Sequence, residues 1–415
     1  MTRTTRGRRR ASLVATAACA LVLGVAGCAS SSSSKGGGNK SGPLVIGASV
    51  SLSGDFADSG KAVQRGYQLW ADEVNAKGGI LGRKVQVKIV DDTSSPNQVT
   101  TNYQNLINRD HVNLVFGPFS SLLTVPASQV AKRYGYAFIE AAGGGPSVFA
   151  QNLQNLFFVQ RATVLTSGDV FADWILSLPA DQRPKTAAYP ELDDPFSAPI
   201  AEAIRKRFEA AGIKTVYKEV YPAETQDLSP VMSGLAAKHP DVVVSGTQAE
   251  DAYAQVKSLI QLKFSPKFMF MSNGASDPLN FPDKVGAANT AGIMSVADWY
   301  PTSDATGSQA FVSAYVKKYG GTAQQIDPTS AEAFACGQIL EDVAKQTGKV
   351  DNATIIKTLH SGTWQTLLGS LSWDQSGAPK GTMSLVQWQS GKLTPVFPAA
   401  DAKATPLSTK PNWGG

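Results

Sequence analysis

The sequence predicts an α/β protein made of two successive domains, each a parallel sheet covered by helices. Three observations carry this. The chain has 415 residues, more than one compact domain usually holds. Short apolar or alternating runs take turns with helix-period stretches along most of its length, which is the signature of parallel sheets. That alternation comes in two runs, the second resuming after Arg161.

The first run opens with a strand over Leu44–Val50 and a loop at Ser53-Gly54-Asp55. A helix follows in which Val63, Tyr67, Trp70 and Val74 share one face, stopped by Gly78-Gly79. Val85–Val90 alternates like a half-buried strand and ends at Asp91-Asp92, which fixes a loop or caps a helix. A helix around Val99–Asn108 leads to the strand Asn113–Phe116, then a helix to Tyr134, the strand Tyr136–Glu140 and the loop Ala141–Pro146. The second run reads helix 166–178, strand Thr186–Tyr189, loop Glu191–Phe196, helix 198–211 and strand Thr215–Val220. Next comes a helix with Ser229 as cap and Pro230 as first residue, then strand Val242–Ser245, helix 249–262 and strand Lys267–Met271. From about 297 the chain adds two or three helices and a hairpin-like tail pairing Leu371–Asp374 with Leu385–Trp388. Asp193-Asp194 reads as solvent-facing, and Trp299-Tyr300 as either cleft lining or hinge packing.

Before this body lies a processing segment. Arg3, Arg6, Arg8, Arg9 and Arg10 precede an apolar run from Ala11 to Gly27, too short for a comfortable membrane span. This is the layout of a secretory signal over residues 1–27. Val25-Ala26-Gly27-Cys28 resembles the lipobox of bacterial lipoproteins, in which Cys28 becomes the lipidated first residue; several acyl chains hold a protein firmly at a membrane. Residues 28–42, rich in Ser and Gly, then form a flexible tether reaching roughly 20 Å. Export by the general or the twin-arginine route stays open. The net charge of +5 comes from those five arginines; without them the basic and acidic counts are both 33. A neutral chain lacks the electrostatic footprint of a nucleic-acid binder. With Cys19 removed and Cys28 lipidated, Cys336 has no partner and reads as a small core residue.

The stretch Leu114–Thr124 carries the first functional signal. An apolar strand ends in Gly117-Pro118, and Ser120-Ser121 then open a helix. A helix N-terminus at the carboxyl end of a parallel strand attracts carboxylate-like groups, which makes Ser121 the centre of a small-molecule cradle or a simple cap. Gly143-Gly144-Gly145 is either a turn with positive φ or a place where a ligand approaches the backbone.

Ser53-Gly54, the run Asn75–Arg83 (Asn-Ala-Lys-Gly-Gly-Ile-Leu-Gly-Arg), Asp91-Asp92, Gly117 with Ser120-Ser121, and Leu371–Asp374 with Gly377 occur in that order. In these motifs the chain resembles the leucine/isoleucine/valine-binding family of type I periplasmic binding proteins, the extracytoplasmic receptors of ABC importers. The match runs from about Val45 to Trp388. The resemblance implies two Rossmann-like lobes joined by a three-strand hinge, one lobe of residues 43–163 plus 297–380 and the other of 164–296 plus 381–410. It implies closure on a ligand, permease and ATPase subunits as partners, and a monomer lipid-anchored at the outer face of the cell membrane. It implies that Ser121 bonds the ligand carboxylate, that the backbone of Ala142, Gly143 and Gly144 takes both carboxylate and ammonium, that Ser59 lies beside the ligand, that Phe196 covers it from the second lobe, and that Gln248 lies at or next to another tyrosine position of the family. Ser94 and Ser120 match the positions of a family disulfide.

Two departures stand out. The family's ammonium-holding threonine and glutamate correspond to Gly144 and Ser272. A buried ammonium without a carboxylate is costly. Either Glu140, Asp194 or Asp251 substitutes, or the solute is an amide or organic acid without an ammonium. Catalysis is not expected. His111, His239 and His360 have no ligand-like spacing, and no nucleophile elbow or phosphate loop occurs, so neither metal nor cofactor is called for. The alternative function on the same fold is a ligand-sensing lipoprotein that feeds a membrane signalling receptor.

Overall fold

A computed structural model describes residues 42–414, so the secretory signal, Cys28 and nearly all of the tether lie outside the described residues. Two parallel-stranded sheets organise the body. The first contains β1 (Leu44–Val50), β2 (Val85–Asp91), β3 (Leu114–Phe116), β4 (Phe138–Glu140) and β5 (Leu156–Phe158) in the order β2-β1-β3-β4-β5, all parallel. The second gathers β6 (Thr186–Leu192), β7 (Lys214–Tyr221), β8 (Val242–Ser245), β9 (Phe268–Met271) and β10 (Ile293–Ala297). After a small hairpin of β11 (Trp364–Thr366) and β12 (Gly369–Leu371), the chain adds β13 (Ser384–Gln389) and β14 (Lys392–Phe397) to that second sheet. Its order is β14-β13-β10-β9-β8-β6-β7, and β13 runs antiparallel to both neighbours.

Most elements form where periodicity places them. Val63, Tyr67, Trp70 and Val74 of the helix Ala57–Ala76 are all buried, against the long helix Pro328–Thr347. The two helices approach closely because Gly337 has no side chain: a Cβ there would sit 1.9 Å from the Trp70 ring. The Trp70 indole N–H donates to Glu341 at 2.9 Å, so its polar edge is satisfied as its rings are buried. Asp91 and Asp92 fix the loop after β2, Asp92 accepting from the Ser49 and Ser51 hydroxyls and the Ser94 N–H.

Several expectations need correction. Leu371–Asp374 and Leu385–Trp388 do not pair: the first closes the β11–β12 hairpin and the second is a strand of the larger sheet. β5 falls between the loop Ala141–Pro146 and Arg161, where the sequence reading places no element. Ser229 is the first helical residue and Leu228 occupies the cap. Asp193 is exposed but Asp194 is buried, because the helix Ser197–Ala210 needs an acceptor at its start. Trp299 is core, with its N–H on Ser308 at 2.9 Å and its ring edge-on to Phe311.

The apolar interior divides. One core joins buried residues between Leu44 and Val159 with others between Trp299 and Trp373. The cores of the second sheet draw on Ala162 to Val296 and on Met383 to Val396. The backbone therefore passes between the two bodies three times, near 160–161, 297–298 and 374–382. No helix among the described residues is long and apolar enough to cross a membrane.

Candidate functional site

A cavity lies where the three passages meet. The first body contributes Phe119, Ser120, Ala142, Phe158 and Gln160, with Pro328, Thr329 and Glu332 from the start of the long helix. The second contributes Ala162, Val164, Phe196, Gln248, Ser272 and Asn273, among others, and Ala297 and Met383 enter from the second and third passages. Most of the wall is apolar, and Glu332 is its only ionisable residue. Among the described residues no group of three or more His, Cys, Asp and Glu is placed to hold a metal ion.

The turn between β3 and the helix Ser121–Arg133 carries strain. Ser120 holds φ +76° and ψ 148°, a conformation that L-residues rarely adopt and that costs on the order of 1–3 kcal/mol. It is braced by its hydroxyl accepting from the Leu123 N–H at 3.4 Å and by the bridge between Phe119 and Ala142. Ser121 is fully buried behind it, and its Oγ accepts from the Gly145 N–H at 2.8 Å.

The glycine run is explained by space. Gly143, Gly144 and Gly145 all avoid positive φ. A Cβ on Gly144 would lie 2.7 Å from the Phe158 ring, one on Gly143 would lie 2.4 Å from the Thr124 hydroxyl, and one on Gly145 would lie 2.5 Å from the Pro195 carbonyl. Phe158 thus takes the room that a threonine at 144 would need. The Gly145–Pro195 contact shows the two bodies touching beside the cavity.

On the second body the lining is tied together by one polar chain. Asp194 Oδ1 accepts from the N–H groups of Phe196 and Ser197, and its Oδ2 accepts from Gln248 Nε2 at 3.1 Å. Gln248 Oε1 in turn accepts from Asn273 Nδ2 at 2.8 Å. Ser272 exchanges hydrogen bonds with the backbone of Thr247, so its hydroxyl holds the loop shape. A wider groove lined by Phe56, Leu122, Asp194, Pro195 and Gln248 reaches the same Gln248 from outside.

Of the sequence candidates, Ala142, Phe196, Gln248 and Ser272 come together on the cavity wall. Ser121, Gly143 and Gly144 sit immediately behind the Ser120–Ala142 wall. Ser59 is buried within its own helix and lies outside the lining. The three proposed substitute acids also miss it. Asp194 caps a helix, while Asp251, which burial raises to about 7, takes the Tyr221 hydroxyl and the Gln248 N–H. Glu140 is fully buried, with one oxygen on the Ala142 N–H at 2.8 Å and the other without a donor, and burial raises it to about 8. The lining acid is Glu332. A helical reading of Ala331–Ala344 would have found it, since Glu332 shares a face with the buried Cys336, Ile339, Leu340 and Val343.

Residues 43–392 match the model of a family described as periplasmic binding protein. Leu/Ile/Val-binding protein homolog 8 of Brucella abortus is 29% identical over 379 residues, covering 87% of this chain and 92% of the relative. Homolog 7 from the same organism is 26% identical over 378 residues, covering 86% and 92%. The fold is shared with LivJ, the branched-chain amino acid transporter substrate-binding protein of Streptococcus pneumoniae solved with isoleucine: TM-score 0.74, 21% identity, 85% of this chain and 97% of that one. It is shared equally with an ABC transporter solute-binding protein of R. palustris solved with benzoate: TM-score 0.74, 19% identity, 88% and 99% covered.

Proposed function

This chain belongs to the periplasmic binding protein family, and we propose that it is the extracytoplasmic substrate-binding component of an ABC importer. It captures one small, partly apolar solute between two lobes, releases it to permease subunits, and does not alter it chemically. One observation carries this reading: the cavity is walled by side chains from both bodies and lies where the chain passes between them. Such a site opens and closes by hinge motion.

In this reading the solute enters by the groove at Gln248, and its acidic or carbonyl end meets the wall at Ser120 and Ala142, which Ser121, Gly143 and Gly144 brace from behind. Phe196, Gln248 and Asn273 close over it. Desolvation then makes each remaining hydrogen bond selective, since a solute lacking a partner leaves a buried polar group unpaired. The isoleucine and benzoate held by the two structural relatives support a solute of that size and mixed character. The signal-like segment and Cys28 support a lipid anchor outside the membrane. A thermal-shift screen of amino acids, amides and aromatic acids tests the proposal. A saturable rise in melting temperature, with the solute recovered intact, is expected; turnover of the stabilising compound would overturn it.

A further inference from the structure

The cavity has one acid in its lining and no cation. Glu332 is 6% exposed, its Oε2 accepts from Gln160 Nε2 at 2.8 Å, and its Oε1 has no donor among the described residues. Gln160 is itself fixed, because the same Nε2 donates to the Ala141 carbonyl at 2.8 Å. Behind Glu332 stands Asp298, 3% exposed, facing it carboxyl to carboxyl. Unless Glu332 donates a proton to it, neither oxygen of Asp298 has a hydrogen-bond partner among the described residues.

Two carboxyls in contact in dry surroundings cannot both ionise, so the pair holds one proton and one negative charge. Burial, followed by the charge of Asp298, pushes Glu332 well above the usual carboxylate range. Asp327, at the start of the same helix, adds to the negative field. The nearby cation, Arg161, acts on Asp298 but is drawn to Asp401 at 3.5 Å. A buried net charge left in this state is expensive unless something supplies the counter-charge.

We propose that the Glu332–Asp298 pair is the counter-charge for a protonated amine on the solute, with Glu332 Oε1 touching it and Asp298 and Gln160 positioning Glu332. The solute is then an amino acid or related amine whose apolar part faces Phe119, Phe158, Phe196 and Met383, rather than a simple carboxylic acid. Glu332 thereby supplies the negative group that Ser272 lacks. The inference rests on the solute-binding reading and narrows it.

The test is isothermal titration of the full mature chain with L-leucine, L-phenylalanine, their amine-free counterparts 4-methylpentanoate and 3-phenylpropanoate, and benzoate. The expected result is that an amino acid binds and its amine-free counterpart binds about 100-fold more weakly or not at all. Glu332→Gln should weaken the amino acid by a similar factor while the empty variant melts no lower than the parent. The comparison of solutes on the unaltered protein stands even if the variant misfolds. Benzoate or an amine-free acid binding as tightly as the amino acids, with Glu332→Gln unaffected, would overturn the inference and leave solute binding intact. Failure of all five probes would also overturn it, and the broader solute screen would then decide the parent reading separately.

Discussion

Glu140 offers a prediction that can be worked through from its surroundings. Its carboxyl is wholly buried at the end of β4, with the Ala142 N–H on one oxygen and no donor on the other. Burial raises it from 4.5 to about 8, against which the N–H groups of Ala142 and then Gly143 pull only partly back. Below pH 4.5 both folded and unfolded chains hold this proton. Between there and pH 8 only the folded chain does, so stability contributed by the protonated form declines as pH rises. Each pH unit is worth about 1.4 kcal/mol, which sets a ceiling of about 5 kcal/mol across the window. Glu140→Gln keeps the shape of the protonated acid and removes the titration. Urea unfolding of both proteins from pH 4 to pH 9 should give similar stabilities at the acid end and an increasing advantage for the variant toward pH 8. Parallel curves across the range would refute the reasoning, because they would mean that Glu140 titrates alike in both states.

Two further substitutions probe the cavity wall. Gly144→Thr drives a side chain into the Phe158 ring, and should cost about 1–3 kcal/mol of stability by urea midpoint, with Phe158→Leu in the same chain recovering much of it. Equal midpoints for parent and Gly144→Thr would show that the ring yields freely. Ser121→Ala removes the acceptor for the buried Gly145 N–H, and should lower stability by about 1–3 kcal/mol and weaken solute binding by a comparable amount. Unchanged affinity on titration would remove Ser121 from the site.

The fold was legible because its elements obey simple periods. The apolar face of Ala57–Ala76 and the buried run of β8 are visible from spacing alone. Two features were not. β5 follows the last loop of the first run and carries no assignment in the sequence reading, and the separation of Leu371 from Leu385 into different pairings depends on contacts across the chain. The site was legible where it follows strand ends, as at Ala142, and where motif positions mark it, as at Phe196 and Gln248. Glu332 was missed because the helical face it shares with Cys336 and Ile339 was not followed, and Gln160 because a polar residue in a passage between bodies looks like surface until both are in place. The fit of Gly144 in place of a threonine shows only with the fold, where the Phe158 ring takes the space a Cβ would need.

The central claim is that one solute is held, unchanged, in the cavity between the two bodies. Ser276 lines that cavity and is only half-buried, so Ser276→Trp fills the space with little demand on either core. The decisive measurement is titration of parent and variant with the solute found by the thermal-shift screen, followed by mass analysis of that solute. The account predicts one intact solute per parent chain and no binding by the variant at a retained melting temperature. Full affinity in the blocked variant, or a solute recovered chemically changed, would contradict it.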